Sequence, residues 1–373
     1  MHPRSCPILC DTVTQQMFPC RQCGAKVEYQ PGTEAQKCPY CGAENLIPKS
    51  EAEIHELDYV AYLAEAEGNA ETVEEITVKC TSCGAESTKP PNITAGQCPF
   101  CGSDIVATAA SVKHLKPKSL LPFHVDQNTA RELFRGWIRS LWFAPNALKR
   151  MARQDQAING MYCPYWTYDT NTTTAYSGMR GDDYWTTESY TTMENGRSVR
   201  RTRQVKRTRW TPASGTVFNQ FDDVLVLASE SIPRKYAHLL APWDLEHLVP
   251  YQDAYLAGFR AESYQVDLRN GFEIAKGIME PEIHATICRD IGGDHQRVTS
   301  SRSQYDNIRF KHILLPIWIS AYRYRGKVFR FLVNARTGEV QGERPWSWVK
   351  ITLAILAATP FVIAVVYWIA ESQ

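Results

Sequence analysis

Neither sign of charge dominates this chain: 41 Lys and Arg stand against 40 Asp and Glu over 373 residues, and a net charge of +1 gives no global field for gathering nucleic acid. Catalytic signatures are missing too. No G-x-x-x-x-G-K-S/T, G-x-G-x-x-G, H-E-x-x-H or G-x-S-x-G occurs, which leaves a nucleotide-driven motor without sequence support and supplies no nucleophile, base and orienting group together. The opening Met1-His2-Pro3-Arg4-Ser5-Cys6-Pro7-Ile8-Leu9-Cys10 has no apolar core of signal-peptide length, so secretion by that route is excluded. Residues 1–16 read as a disordered leader, with Met17 as an alternative start. Basic residues vanish between 51 and 75, where nine acidic side chains occur and no Lys or Arg.

What is abundant is cysteine. Cys20-x2-Cys23 and Cys38-x2-Cys41 are separated by fourteen residues, Cys80-x2-Cys83 and Cys98-x2-Cys101 by the same fourteen, and the whole unit recurs at an offset of sixty. Each copy opens on C-x-x-C-G-A and closes on C-P-aromatic-C-G: Cys38-Pro39-Tyr40-Cys41-Gly42 and Cys98-Pro99-Phe100-Cys101-Gly102. Four thiolates held about 2.3 Å from a tetrahedral ion form a closed structural site with no position open to substrate. A glycine after the second cysteine takes positive φ, which turns backbone N–H groups toward the sulfurs. The sequence therefore predicts two zinc ribbons, 17–48 and 79–108, with ligands Cys20, Cys23, Cys38 and Cys41, then Cys80, Cys83, Cys98 and Cys101. Iron is the alternative ion, because four cysteines alone do not choose the metal. Disulfides would need an oxidising compartment, and a redox C-x-x-C would need a βαβ context that these positions lack. Between its outer cysteines neither ribbon has a basic, aromatic groove, and four thiolates on one Zn2+ leave about −2 per site, so protein contact or folding stability is the expected role.

The one long apolar run is Ile351 to Ala370, whose polar members are Thr352, Thr359 and Tyr367. At about 1.5 Å per residue it matches the ~30 Å hydrocarbon core of a bilayer. Trp346 and Trp348 border one end and Tyr367 and Trp368 the other, where amphipathic rings favour the interface. Residues 351–370 are thus expected to be a transmembrane helix. Arg344 and Lys350 precede it while Glu371, Ser372 and Gln373 follow. The positive-inside bias then predicts a single-pass protein of the inner, cytoplasmic membrane with residues 1–350 in the cytosol, where a reducing milieu keeps thiols available for metal.

Between ribbons and anchor, 49–78 reads as an acidic helical linker carrying Ile54, Leu57, Tyr59, Val60 and Leu63. An α+β domain is expected over 115–345. Thr129 and Glu132 suggest a capping box opening a helix that runs to Ala144-Pro145. Strands are predicted at 162–176, 184–193, 199–210 and 216–227, with Asn195-Gly196 a hairpin turn; 229–294 reads as mostly helical, and 308–343 as strands again, turning at Arg325-Gly326. Residues 197–209 contain seven Lys or Arg. On one face of that strand Arg201, Arg203, Arg207 and Arg209 would form a basic ribbon suited to solvent, to anionic lipid headgroups or to phosphate. His284 and Cys288 read as a satisfied core pair rather than half of a metal site, Cys163 as a small buried hydrophobe, and Asp222-Asp223 as a weak cation candidate because neighbours on a strand point to opposite faces. The predicted whole is a multidomain chain: two N-terminal zinc ribbons, an α+β domain with an antiparallel sheet, and one C-terminal transmembrane helix.

A further set of segments carries a family resemblance: Leu57-Asp58-Tyr59, Leu121-Pro122-Phe123, Pro164-Tyr165-Trp166-Thr167-Tyr168-Asp169, Gly178-Met179-Arg180-Gly181-Asp182, Phe221-Asp222-Asp223, Phe310-Lys311-His312-Ile313-Leu314-Leu315-Pro316 and Val333-Asn334-Ala335-Arg336-Thr337-Gly338. With the paired ribbons, they make the chain resemble the bacterial TFIIB-type zinc-ribbon membrane proteins, a group also labelled primosomal protein N′ or superfamily II helicase. The helicase label follows the cysteine knuckles rather than motor motifs. The resemblance implies no catalytic site. It implies two Zn2+ and a membrane-anchored adaptor for SPFH-domain (stomatin and flotillin type) or phage-shock proteins. The expectation is therefore a non-enzymatic scaffold, with a membrane-tethered nucleic-acid-binding protein as the alternative.

Overall fold

A computed structural model describes residues 18–50, 52–65, 72–80, 86–88, 95–98, 104–106, 110–146, 158–194, 197–324 and 327–371. The predicted leader, the Asn195-Gly196 and Arg325-Gly326 turns, and Cys83 and Cys101 fall outside them.

Short antiparallel strands come first: β1 (Glu28–Tyr29), β2 (Ala35–Lys37) and β3 (Glu44–Leu46) form one three-stranded sheet. β4 (Leu57–Asp58) leads into α1 (Tyr59–Glu65). β5 (Thr72–Lys79) pairs with β6 (Glu86–Thr88) and, after β7 (Ala95–Gln97) and β8 (Asp104–Val106) have paired with each other, with β9 (Ala110–Leu115). β2 and β3 thus stand sixty residues before β7 and β8, in the same places relative to their cysteines.

β10 (Ser119–Leu120) and α2 (Gln127–Ser140) open the main body. Asp126, not Thr129, caps α2: its carboxylate accepts from the N–H groups of Asn128 and Thr129. The helix buries Ala130, Phe134 and Ile138, spaced four apart, and the Phe134 ring stacks on Phe331 at 3.5 Å.

The four predicted strands are in fact two. β11 (Asn159–Glu194, 36 residues) and β12 (Arg197–Leu227, 31 residues) pair continuously down to Glu194↔Arg197. The gaps between the predicted strands are themselves paired strand: Gly178 faces Ala213, Met179 faces Pro212 and Gly181 faces Trp210. A proline is tolerated on β12 because it is the sheet edge, whose outward N–H groups make no ladder bond.

After α3 (Arg234–Leu239), two short 3-10 turns, β13 (Val249–Pro250) and β14 (Arg260–Ala261) comes α4 (Leu268–Ile291). The 229–294 region is therefore less helical than expected, with its one long helix confined to the end. β15 (His295–Tyr324, 30 residues), β16 (Lys327–Asn334) and β17 (Val340–Gly342) complete the sheet, and α5 (Trp348–Glu371) follows.

The result is a broad base and a long arm. In the base, Phe123, Phe134, Tyr162, Trp318 and Phe331 fill one core. In the arm, β15, β11 and β12 run side by side as far as Gly181 and His295, and from Asp169 to Glu194 β11 covers on the order of 85 Å at about 3.3 Å per residue. α4 lies along one face, burying Leu268, Phe272, Ala275, Met279, Ile283, Ile287 and Ile291 against Trp166, Tyr168, Tyr176 and Val217. Past Gly181↔His295 only β11 and β12 continue, as a two-stranded tip.

Candidate metal centre

Around Cys20, Cys23, Cys38 and Cys41 the two C-x-x-C-G segments fold alike. Gly24 N–H donates to Cys20 O at 2.8 Å and Gly42 N–H to Cys38 O at 3.0 Å, with both glycines at positive φ, 74° and 73°. Cys20 N–H reaches Ala25 O, Cys38 N–H reaches Ala43 O, and Gln22 N–H points at Cys20 Sγ from 3.4 Å. Cys20 Sγ lies 3.5 Å from Cys41 Sγ and Cys23 Sγ lies 3.6 Å from Cys38 Sγ, with all four sulfurs within 4.8 Å of one another. Tetrahedral thiolates about 2.3 Å from an ion stand about 3.8 Å apart, whereas a disulfide needs about 2.05 Å. The four sulfurs are close enough to hold a metal ion, and the donor set is consistent with zinc. Backbone donors favour the charged form where a pair is most enclosed: amides of Cys23 and Gln22 hold the Cys20 thiol below its ordinary value, and that of Cys41 chiefly brings Cys38 down to about 6. Cys41 also accepts from the Ala43 amide, but the neighbouring sulfurs and burial push it up to about 12. A cation among the sulfurs would let all four ionise.

The ribbon is seated on the base rather than tethered. Tyr29 N–H donates to Ala257 O at 2.8 Å, Gly32 N–H to Phe123 O at 2.9 Å and Gln36 Nε2 to Ala254 O at 2.9 Å. Tyr29 is buried and its ring meets Tyr255 edge-on at 5.2 Å. Exposed on the same module are Cys23, Cys41, Tyr40 (81% exposed) and Leu46 (71% exposed).

Of the second set, Cys80 and Cys98 are buried beside Leu121, Met161, Cys163 and Ile313. Cys83 and Cys101 lie outside the described residues.

The arginine face forms as the alternation requires. Arg201, Arg203, Arg207 and Arg209 share a face with Tyr190, Glu188, Tyr184 and Asp182 directly opposite. Glu188 binds Arg207 and lies 3.6 Å from Arg203, whose guanidinium sits over the Tyr190 ring at 5.6 Å. One carboxylate thus answers two of the four guanidinium groups. At the neck of the tip, Lys206 (2.7 Å) and Thr208 (2.6 Å) hold the Asp183 carboxyl at about 2, with His295 at 3.1 Å.

One cluster was glimpsed in the sequence only through Asp222-Asp223, and its other members were missed. Glu56, Asp169 and Asp222 bring carboxylate oxygens within 4.8 Å of one another, and Lys311 Nζ lies 3.1 Å from Glu56 and 2.7 Å from Asp223. Adjacent aspartates meet at one place because the register shifts between Tyr168 and Thr170 and Asp223 takes a positive φ of 50°, its N–H donating to Asp169 Oδ1 at 2.6 Å. The bulge cancels the alternation that had separated them. Burial, then the bond shared with Glu56, raises Asp169 to about 7. The three carboxylates could hold a cation, but the ammonium of the largely buried Lys311 already supplies positive charge.

His284 and Cys288 are not the core pair expected: Nδ1 and Sγ are 3.6 Å apart on the outer, exposed side of α4, and no third ligand joins them among the described residues. Cys163 is buried, and burial pushes its thiol well up, as a small core residue requires. α5 spans 24 residues, none buried, and is long and apolar enough to cross a membrane.

No known protein family matches the chain, and neither does a solved structure. It is similar to the uncharacterized protein YdjG of Bacillus subtilis (strain 168), 27% identical over 261 residues that cover 67% of this chain and 70% of that protein.

Proposed function

We propose that this chain is a non-enzymatic membrane-anchored adaptor whose zinc ribbons hold a cytosolic protein partner at the bilayer. The observation that carries the reading is the placement of the first ribbon. The ribbon is hydrogen-bonded to the base while Tyr40 of its second knuckle and Leu46 of β3 stay exposed, on the same body that ends in α5. Exposed apolar side chains on a rigid, metal-stapled module suit protein recognition. The second cysteine set, by its identical spacing, is proposed to hold a second Zn2+. The charge bias around α5 favours a cytosolic body on the inner membrane. The resemblance suggests an SPFH-domain or phage-shock type partner.

Co-purification from detergent-solubilised membranes tests this. The intact chain should bring down a stoichiometric protein, and Tyr40→Ala with Leu46→Ala, which spare the sulfurs, should lose it; recovery of no partner by either form would defeat the reading. The arginine face supports a second reading, nucleic-acid binding, since guanidinium groups interleaved with Tyr184 and Tyr190 suit phosphate and base stacking. Phosphate contacts demand steep loss of affinity as salt rises. Binding that is flat with salt, or absent, removes it.

A further inference from the structure

The root of α5 is fixed to the body by contacts that α5 itself does not need. Ser347 N–H donates to Phe143 O at 2.8 Å, and Lys350 Nζ donates to Trp142 O at 3.3 Å and Ala144 O at 2.8 Å. A lysine beside a membrane span ordinarily extends toward headgroups; here its ammonium is committed to two carbonyls of the turn that follows α2. That turn is sorted by polarity in an unusual way. Leu141 and Ala144 are buried, while Trp142 is 83% and Phe143 39% exposed. Large rings turned outward at the root of a membrane-length helix call for a covering medium.

The medium is set by what lies next to them. Trp348 is the first residue of α5 and 76% exposed; Trp346 is 52% exposed, with the Arg344 guanidinium 4.5 Å over its ring. From Trp348 to the first residue of the apolar run, Ile351, is a rise of about 4.5 Å. A turn hydrogen-bonded to Ser347 and Lys350 therefore sits at the level where a bilayer's headgroups would meet its hydrocarbon. Tryptophan bodies with a polar edge, beside arginine and lysine, are the side chains that this layer accepts.

We propose that the turn after α2, with Trp142 and Phe143 at its outward side, is a second membrane contact that inserts into the headgroup layer beside α5. The inference rests on α5 crossing the bilayer. Two insertion points on one rigid base fix its tilt, whereas a single helix root would leave the body free to swing.

Fluorine NMR of the full-length chain, labelled with fluorotryptophan and placed in nanodiscs of phosphatidylcholine and phosphatidylglycerol, tests it. Resonances are assigned from Trp142→Phe, Trp348→Phe and Trp166→Phe, and lipid carrying a nitroxide near the headgroup is added. The Trp142 and Trp348 signals should be lost while that of Trp166, buried inside the body, persists. Persistence of Trp142 with loss of Trp348 overturns the second contact and leaves the anchor standing. Persistence of both overturns the anchor and the contact together.

Discussion

At the scale of single residues, the sulfurs and one carboxyl carry the sharpest expectations. Cys38→Ser removes one of four ligands from a closed site, so metal analysis of the purified chain should show a full equivalent lost relative to wild type, with the first ribbon becoming protease-sensitive. Asp169 faces Glu56 from the linker, Asp222 and Asp223 from β12, and Lys311 and Arg309 from β15. Its folded value of about 7 lies above the ordinary carboxyl value near 3.9. Between those values the folded chain keeps a proton that the unfolded chain has released. Stability from this packing is therefore full at the lower pH, declines as pH rises through 7, and is level above. Glu56 runs the other way, its value lowered against the cost of burial by Asp169 and Lys311, so its contribution is lost on acidification below the ordinary carboxyl range. Hydrogen-exchange protection of residues 57–63 should consequently be higher at pH 6 than at pH 8, and Asp169→Asn should flatten the difference. Equal protection at both pH values in the wild type would refute the linkage. None of this was readable in Asp222-Asp223 alone, because alternation assigns neighbours to opposite faces and only the bulge reverses it.

At the scale of elements, helix α4 and strand β12 show where pattern suffices and where it fails. The period of Leu268, Phe272, Ala275, Met279, Ile283, Ile287 and Ile291 is helical, yet the sequence alone spread helix across 229–294, because short 3-10 turns and isolated apolar residues imitate the same spacing. The two long strands read as four from sequence because Gly178, Gly181 and Pro212 weaken the local strand pattern; the ladder runs through them, pairing them with Ala213, Trp210 and Met179, and pairing is not a local property. Gly271 marks the closest approach of α4 to the sheet, where an added Cβ would strike Tyr168 Oη and come within 2.9 Å of Trp166 Cδ1. Gly271→Ala should therefore cost about 1–3 kcal/mol despite its better helix propensity, measured as a lower denaturation midpoint. By contrast, replacing 184–207 with a short turn removes strand that packs on no helix, with Trp185 64% and Met193 70% exposed, and should leave that midpoint within error. The arginines of this stretch have a structural use too: β12 is an edge whose outer side meets no strand among the described residues, and like charge resists edge-to-edge pairing with another chain.

At the scale of the whole molecule, the parts legible from sequence were those whose chemistry is local. Four cysteines at fixed spacing and twenty apolar residues at the end need no knowledge of the rest of the chain, and both stand where they were expected, α5 being slightly longer at each end. The seating of the first ribbon was not legible, since Tyr29 and Gln36 find their partners more than two hundred residues away, at Ala257 and Ala254. Truncation after Glu343 should move the protein from the membrane to the soluble fraction, because Trp142 and Phe143 alone provide too little apolar area for lasting attachment. Fractionation of cells expressing the truncated chain checks this, and retention in the membrane pellet would show that α5 is not the main tether.

The unequal lengths of the three arm strands have a spatial consequence. Because β15 stops at His295 while its neighbours run on, the slender tip stands roughly 100 Å along the strands from the aromatic floor of the base, many times the screening distance of physiological salt. Charge at the tip is electrically invisible at the base, so a ligand on one extremity would not repel one on the other, and the molecule holds its two ends apart like a strut.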